Sequence, residues 1–147
     1  MKLSADCMWE AWGRTNALYT AWYAAAGQNQ YRVFVLYAID AHESVTQKEI
    51  ADSTGLSKQT VSTVMRALKE EGLVSLRAGE TDRREKYVYL TQKGKDYAAE
   101  LLAPLHALER RVFDIMGAER VKQMIDAITL FDLVFEKEME TLLNEQS

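Results

Sequence analysis

The chain has 147 residues, 48% hydrophobic and 27% charged, with a formal net charge of -4 and a pI near 5.3. This composition suits one folded domain with a sizeable core and excludes a disordered chain. No run of about 18 apolar residues offers a membrane span. The opening "MKLSADCMWEAWGR" lacks a secretory apolar core, and the one cysteine, Cys7, has no intrachain partner, so a cytoplasmic protein is expected.

The first helix is expected over residues 5–26, where Ala5, Met8, Trp9, Trp12, Leu18, Tyr19, Trp22 and Tyr23 recur at helical spacing. "GQNQ" ends it, and "YRVFVLYAIDA" follows as a short, buried helix. "TQKE" then places Thr46 at an N-cap with Glu49 three residues later, a capping-box pattern. In "STGLS", Gly55 suits a tight left-handed turn and Ser57 suits the cap of a new helix over about 58–71, with Val61, Val64, Met65 and Leu68 inward. Two short helices joined this way form a helix-turn-helix.

The period changes to two after Gly72. Val74 and Leu76 alternate with Ser75 and Arg77, and Val88 and Leu90 alternate with Tyr87 and Tyr89, which predicts a β-hairpin. Thr91 caps a further helix running toward Met116, with a kink expected at Pro104. Gly117 precedes a last amphipathic helix, about 118–144, striped by Ile125, Ile128, Phe131 and Phe135. The expected architecture is mostly α with a small β-hairpin wing. It divides into an N-terminal dimerisation helix (1–30), a winged helix-turn-helix (31–91) and C-terminal dimerisation helices (92–147).

Charge is uneven along this plan. Residues 46–95 hold ten Lys/Arg and seven Asp/Glu, against eight and fifteen elsewhere, so the middle of an acidic chain is set to meet an anion. A helix-turn-helix lays its second helix in the DNA major groove. Ser57, Lys58, Gln59, Thr60, Ser62 and Thr63 line the start of that helix, all polar and none acidic. Arg66, further along, suits a phosphate. At the hairpin tip, Arg84 can reach the minor groove, where negative potential attracts arginine. Asp82, two residues earlier, can hold the guanidinium in place. Arg77, Arg83 and Lys86 can lie along phosphates.

Residues 46–95 resemble the MarR (multiple antibiotic resistance regulator) family of winged helix-turn-helix regulators. The resemblance is carried by the polar start of the second helix, by "EEGLV", and by the Asp-x-Arg wing followed by "LTQKG". "APLHALERRVF" is similar to that family's fifth helix. The resemblance implies a homodimer on a palindromic double-stranded operator, repression as the commoner mode, and release by a small aromatic or anionic effector. It maps Ser57, Lys58, Gln59, Thr60 and Ser62 to the base-reading turn, Arg84 to the minor-groove arginine and Asp82 to its support. The wide apolar stripes of the terminal helices independently call for a partner.

For the effector, Trp12, Tyr19, Trp22, Tyr31, Phe34 and Tyr37 can stack on an aromatic ring, with Arg14 or Arg32 meeting a carboxylate. The same rings also suit a dimer core. Cys7 raises a redox alternative. However, peroxide-sensing relatives carry their cysteine near Tyr19, and Asp6 and Glu10 beside Cys7 should raise its pKa despite Lys2 nearby. His42 and His106 are far apart in sequence, so neither metal nor cofactor is expected. No catalytic motif points to an enzyme. A winged helix used only for protein contact is the remaining alternative, against which Arg83, Arg84 and the polar turn argue.

Overall fold

The computed structural model describes residues 4–146. In chain order the elements are α1 (Ala5–Ala25), α2 (Gln30–Asp40), β1 (Val45–Thr46), α3 (Gln47–Thr54), α4 (Lys58–Glu70), β2 (Val74–Ala78), β3 (Lys86–Leu90), α5 (Gln92–Met116) and α6 (Ala118–Glu145). The fold is mostly α with a small antiparallel wing, as the sequence predicts. No helix among the described residues is long and apolar enough to cross a membrane.

Local chemistry sets these boundaries. Asn29 caps α2 by accepting from the amides of Tyr31 and Arg32 at 3.0 and 3.2 Å. The capping box at α3 is complete: the Glu49 amide donates to the Thr46 hydroxyl at 3.1 Å, and the Thr46 amide donates to the Glu49 carboxylate at 2.7 Å. Gly55 closes α3 with φ 71°, a conformation that is costly for a residue with a Cβ. Ser57 then caps α4, accepting from the Thr60 amide at 3.1 Å.

The sheet has three strands in the order β1-β3-β2, all antiparallel. The sequence predicts only the hairpin. β1 is too short to show a period, and it joins because Val45 pairs with Val88 and Thr46 with Tyr87. Burial follows the pleat, with Val74 and Val88 inside. They meet Leu36 and Ile39 of α2, Ile50 of α3, and Val61, Met65 and Leu68 of α4 in one core. Val64, expected inside, is only half-buried.

The start of α5 is fastened to the end of α4. The Thr91 hydroxyl donates to the Gly72 carbonyl at 2.7 Å, and the Thr91 amide to the Leu73 carbonyl at 3.0 Å. Gly94 lies against that carbonyl so closely that an added Cβ would stand 1.8 Å from the Leu73 oxygen.

The chain forms two compact units, Met1–Leu102 and Ala103–Ser147. The boundary falls inside α5, which continues through Pro104 to Met116. Within the second unit no residue of α6 is buried, and Ile125, Ile128, Leu130, Leu133, Val134 and Phe135 are exposed. In the first unit, Trp9, Trp12 and Leu18 of α1 are likewise exposed.

Candidate nucleic-acid interface

α4 divides cleanly by face. Val61, Met65 and Leu68 anchor it in the core, which turns Gln59, Ser62, Thr63 and Arg66 outward. Ser57 and Lys58 are also exposed, and Thr60 is half-buried. The side chains of Lys58, Gln59, Ser62 and Arg66 make no hydrogen bond or ion pair among the described residues. By contrast, the Ser57 hydroxyl is spent on the cap and on Thr60 (2.9 Å), and the Thr63 hydroxyl donates to the Gln59 carbonyl at 3.0 Å. The face is therefore rich in free donors and carries no carboxylate in its first turn.

The wing tip is a closed turn. The Gly79 amide donates to the Glu85 carbonyl at 2.8 Å, and the Glu85 amide to the Asp82 carbonyl at 3.1 Å. A Cβ on Gly79 would stand 2.6 Å from the Asp82 carbonyl oxygen, so the turn needs glycine there. Asp82 Oδ1 accepts from the Arg84 amide at 3.0 Å and faces its Nε at 3.4 Å. The Arg84 side chain nevertheless remains 93% exposed. One carboxylate thus sets the direction of a cation that protein does not cover. Arg83 and Lys86 are exposed and unpaired among the described residues. Arg77, expected along phosphates, stacks on Tyr89, 4.6 Å from the ring centre and diagonally across the β2–β3 ladder. The Tyr87 hydroxyl donates to Glu85 at 3.2 Å, which raises the Tyr87 pKa.

A clasp behind α4 has no counterpart in the sequence expectations. Arg32 of α2 meets the Glu71 carboxylate with both terminal nitrogens, one at 2.9 Å, while its Nε donates to the Tyr97 hydroxyl at 2.9 Å. Lys93 donates to the Glu71 carbonyl at 2.9 Å. Glu71 is the C-cap of α4, so the clasp ties the end of that helix to α2 and α5. The Arg32 contact draws the Glu71 pKa down, and the Glu71 carboxylate raises that of Arg32.

Comparison with known proteins agrees with this geometry. The profile of the MarR family matches residues 30–85. NMB1585, a MarR family regulator from Neisseria meningitidis, superposes with a TM-score of 0.81 at 29% identity, over 95% of this chain and 98% of that one. The chain is similar to MarR family regulators, most directly through its winged helix-turn-helix. The HTH-type transcriptional regulator PetP of Rhodobacter capsulatus is 28% identical over 96 residues, which is 63% of this chain and 58% of that protein. YwhA of Bacillus subtilis, also an HTH-type transcriptional regulator, is 28% identical over 100 residues, 68% of this chain and 72% of that protein. The MarR family consists of DNA-binding transcriptional regulators and not of enzymes.

The aromatic residues of the chain do not form one cluster. Tyr19 and Tyr23 lie 6.2 Å apart by ring centres, and Tyr23 meets Phe34 edge-on at 5.6 Å. Trp22, on the same helix, has a buried indole nitrogen with no hydrogen-bond partner. Trp12 and Arg14 stand exposed on the earlier part of α1, and Tyr37 is also exposed. Tyr31 lies elsewhere, in a pocket with the flank of α4. Arg32 is no free carboxylate receptor, because Glu71 already fills that role.

Cys7 also corrects an expectation. The Ser4 hydroxyl lies 3.6 Å from its sulfur, and that hydrogen bond lowers the thiol pKa where the neighbouring carboxylates were expected to raise it. Lys2, invoked beside it, lies outside the described residues. His106 pairs with Glu109 at 3.5 Å, and no group of three or more His, Cys, Asp or Glu able to hold a metal occurs among the described residues.

Proposed function

We propose that this chain is a MarR-family regulator that binds a palindromic double-stranded operator as a homodimer in the cytoplasm and represses transcription until a small aromatic or anionic effector releases it. One juxtaposition carries the reading. The polar face of α4, with no carboxylate in its first turn, stands beside a wing whose Arg84 is 93% exposed and aimed by Asp82. A helix of this kind suits the major groove, and an outlying guanidinium suits the adjacent minor groove. In this scheme Ser57, Lys58, Gln59, Thr60, Ser62 and Thr63 face bases, while Arg66, Arg83 and Lys86 face phosphates. Arg77, already stacked on Tyr89, has the weaker claim.

Support for a homodimer comes from α6, a helix of 28 residues with none buried and a broad apolar exposure. Support for an aromatic effector comes from Tyr19, Tyr23 and Phe34 with the unpartnered Trp22 indole. A second reading, redox control through Cys7, is favoured by the Ser4 contact that lowers its pKa. Loss of operator binding under organic peroxide in the wild type but not in Cys7→Ser would establish it.

Selection of bound duplexes from random DNA tests the main reading. The expected result is a palindrome with half-sites about 34 Å apart, bound by a dimer with affinity that falls steeply with salt. A protein that prefers no duplex at low salt would overturn it.

A further inference from the structure

We propose that Tyr31 and Asn29, at the start of α2, form a docking point for a backbone phosphate of the DNA on which α4 sits. A pocket of about 320 Å³ is lined by Asn29, Tyr31, Gln59, Thr60, Thr63 and Val64. Four of these belong to α4, where exposed Gln59 and Thr63 grade through half-buried Thr60 and Val64 toward the buried face at Val61, Met65 and Leu68. A helix with side chains is about 10–12 Å across, close to the roughly 12 Å width of the major groove. When such a helix enters the groove, its flanks therefore meet the walls, which are sugar and phosphate.

The pocket's chemistry fits an anion. No carboxylate lines it, although the chain as a whole is acidic. Tyr31 is 43% exposed, and its hydroxyl has no hydrogen-bond partner among the described residues. The Asn29 oxygen is committed to capping α2, which leaves its NH₂ as a second free donor. Hydroxyl and amide side chains are common phosphate ligands, and such contacts fix register without reading sequence. An aromatic effector is the weaker occupant, because Val64 and the Tyr31 ring are the only apolar lining groups.

The contact presupposes the DNA binding proposed above. Tyr31→Phe removes only the hydroxyl. It should raise Kd about tenfold on a selected duplex and on a scrambled duplex alike, as expected for one lost hydrogen bond to a charged group. The salt slope should not change, because a neutral phenol displaces no counterion. Asn29→Asp keeps a good N-cap but brings a negative charge to the phosphate. It should weaken binding more than tenfold while leaving the melting temperature at or above that of the wild type. Wild-type affinity in both variants would overturn the proposal. So would a loss confined to the selected duplex, which would make Tyr31 a base reader, or retained DNA affinity with a lost response to benzoate. Failure of the wild-type protein to bind any duplex would instead overturn the DNA-binding function itself.

Discussion

Arg32 and Glu71 are 39 residues apart in the chain, yet the guanidinium of one lies fork-to-fork on the carboxylate of the other. The geometry is bidentate, the form in which arginine pairs gain both strength and direction. Tyr97 braces the arginine from a second side, through its hydroxyl and its ring face. Removing either partner should loosen the C-terminal end of α4. Arg32→Ala, Glu71→Ala and the double variant should show a coupling of about 0.5–1 kcal/mol in denaturant unfolding, kept small because Glu71 is half exposed. Additive losses would show that the pair is idle.

The same pair predicts an acid limb in stability. Glu71 has a lowered pKa in the folded chain, so its contribution is fully present above the ordinary carboxylate range. It is lost as pH falls through the lowered folded value. Unfolding free energies measured from neutral pH downward should therefore converge for wild type and Glu71→Gln at low pH. A gap that stays constant with pH would exclude the pair as its source.

Two glycines should fail for different reasons. Gly94→Ala must place a methyl group where the Leu73 carbonyl already stands, 1.8 Å away, and that obstacle is backbone rather than a movable side chain. A loss of about 3 kcal/mol or more is expected. Gly55→Ala meets open space but a φ of 71°, and should cost about 1–2 kcal/mol. Thermal melts that reverse this order would contradict the packing at the α4–α5 junction.

In the wing, the Asp82 carboxylate serves the Arg84 amide and the Arg84 guanidinium together. Operator affinity should fall most in Arg84→Ala, by about 1–3 kcal/mol, less in Asp82→Ala and least in Asp82→Asn, which keeps the acceptor for the amide. Gln59→Ala should relax preference at one base position, whereas Arg66→Ala should weaken all sequences and flatten the salt dependence. Fluorescence anisotropy over a salt series separates these cases. Full affinity in Arg84→Ala would remove the wing from the interface.

On α6, Leu133 and Phe135 are exposed apolar residues of a helix that buries none of its own. Leu133→Glu with Phe135→Glu should yield a monomer in light scattering and abolish operator binding, with the winged unit still folded by circular dichroism. A dimer that survives both changes would place the partner elsewhere.

Much of the fold was legible because short-range chemistry announces it. Thr46 with Glu49, Gly55 with Ser57, and the alternation around Val88 each fix a local geometry within a few residues. Asp82 and Arg84 were legible as a pair because they are two positions apart. The Arg32–Glu71–Tyr97 clasp was not, since nothing local in "YRVF" or "EEGLV" says that these segments meet. That Tyr31 lines a pocket with the flank of α4 was hidden for a related reason. Composition grouped it with Tyr19 and Phe34, but the turn at Gly27 and the packing of α2 carry it to the flank of α4. Arg77 looked free in sequence, and only the strand register brings Tyr89 beneath it.

Thr46 is both the last residue of β1, opposite Tyr87, and the residue that caps α3. No hinge separates strand from helix at that point. Tilting the wing against the helix pair would have to rupture either the ladder or the cap. Amide protons of Glu49 and of β3 should therefore exchange through one shared opening, and the blade and its handle swing as a single lever.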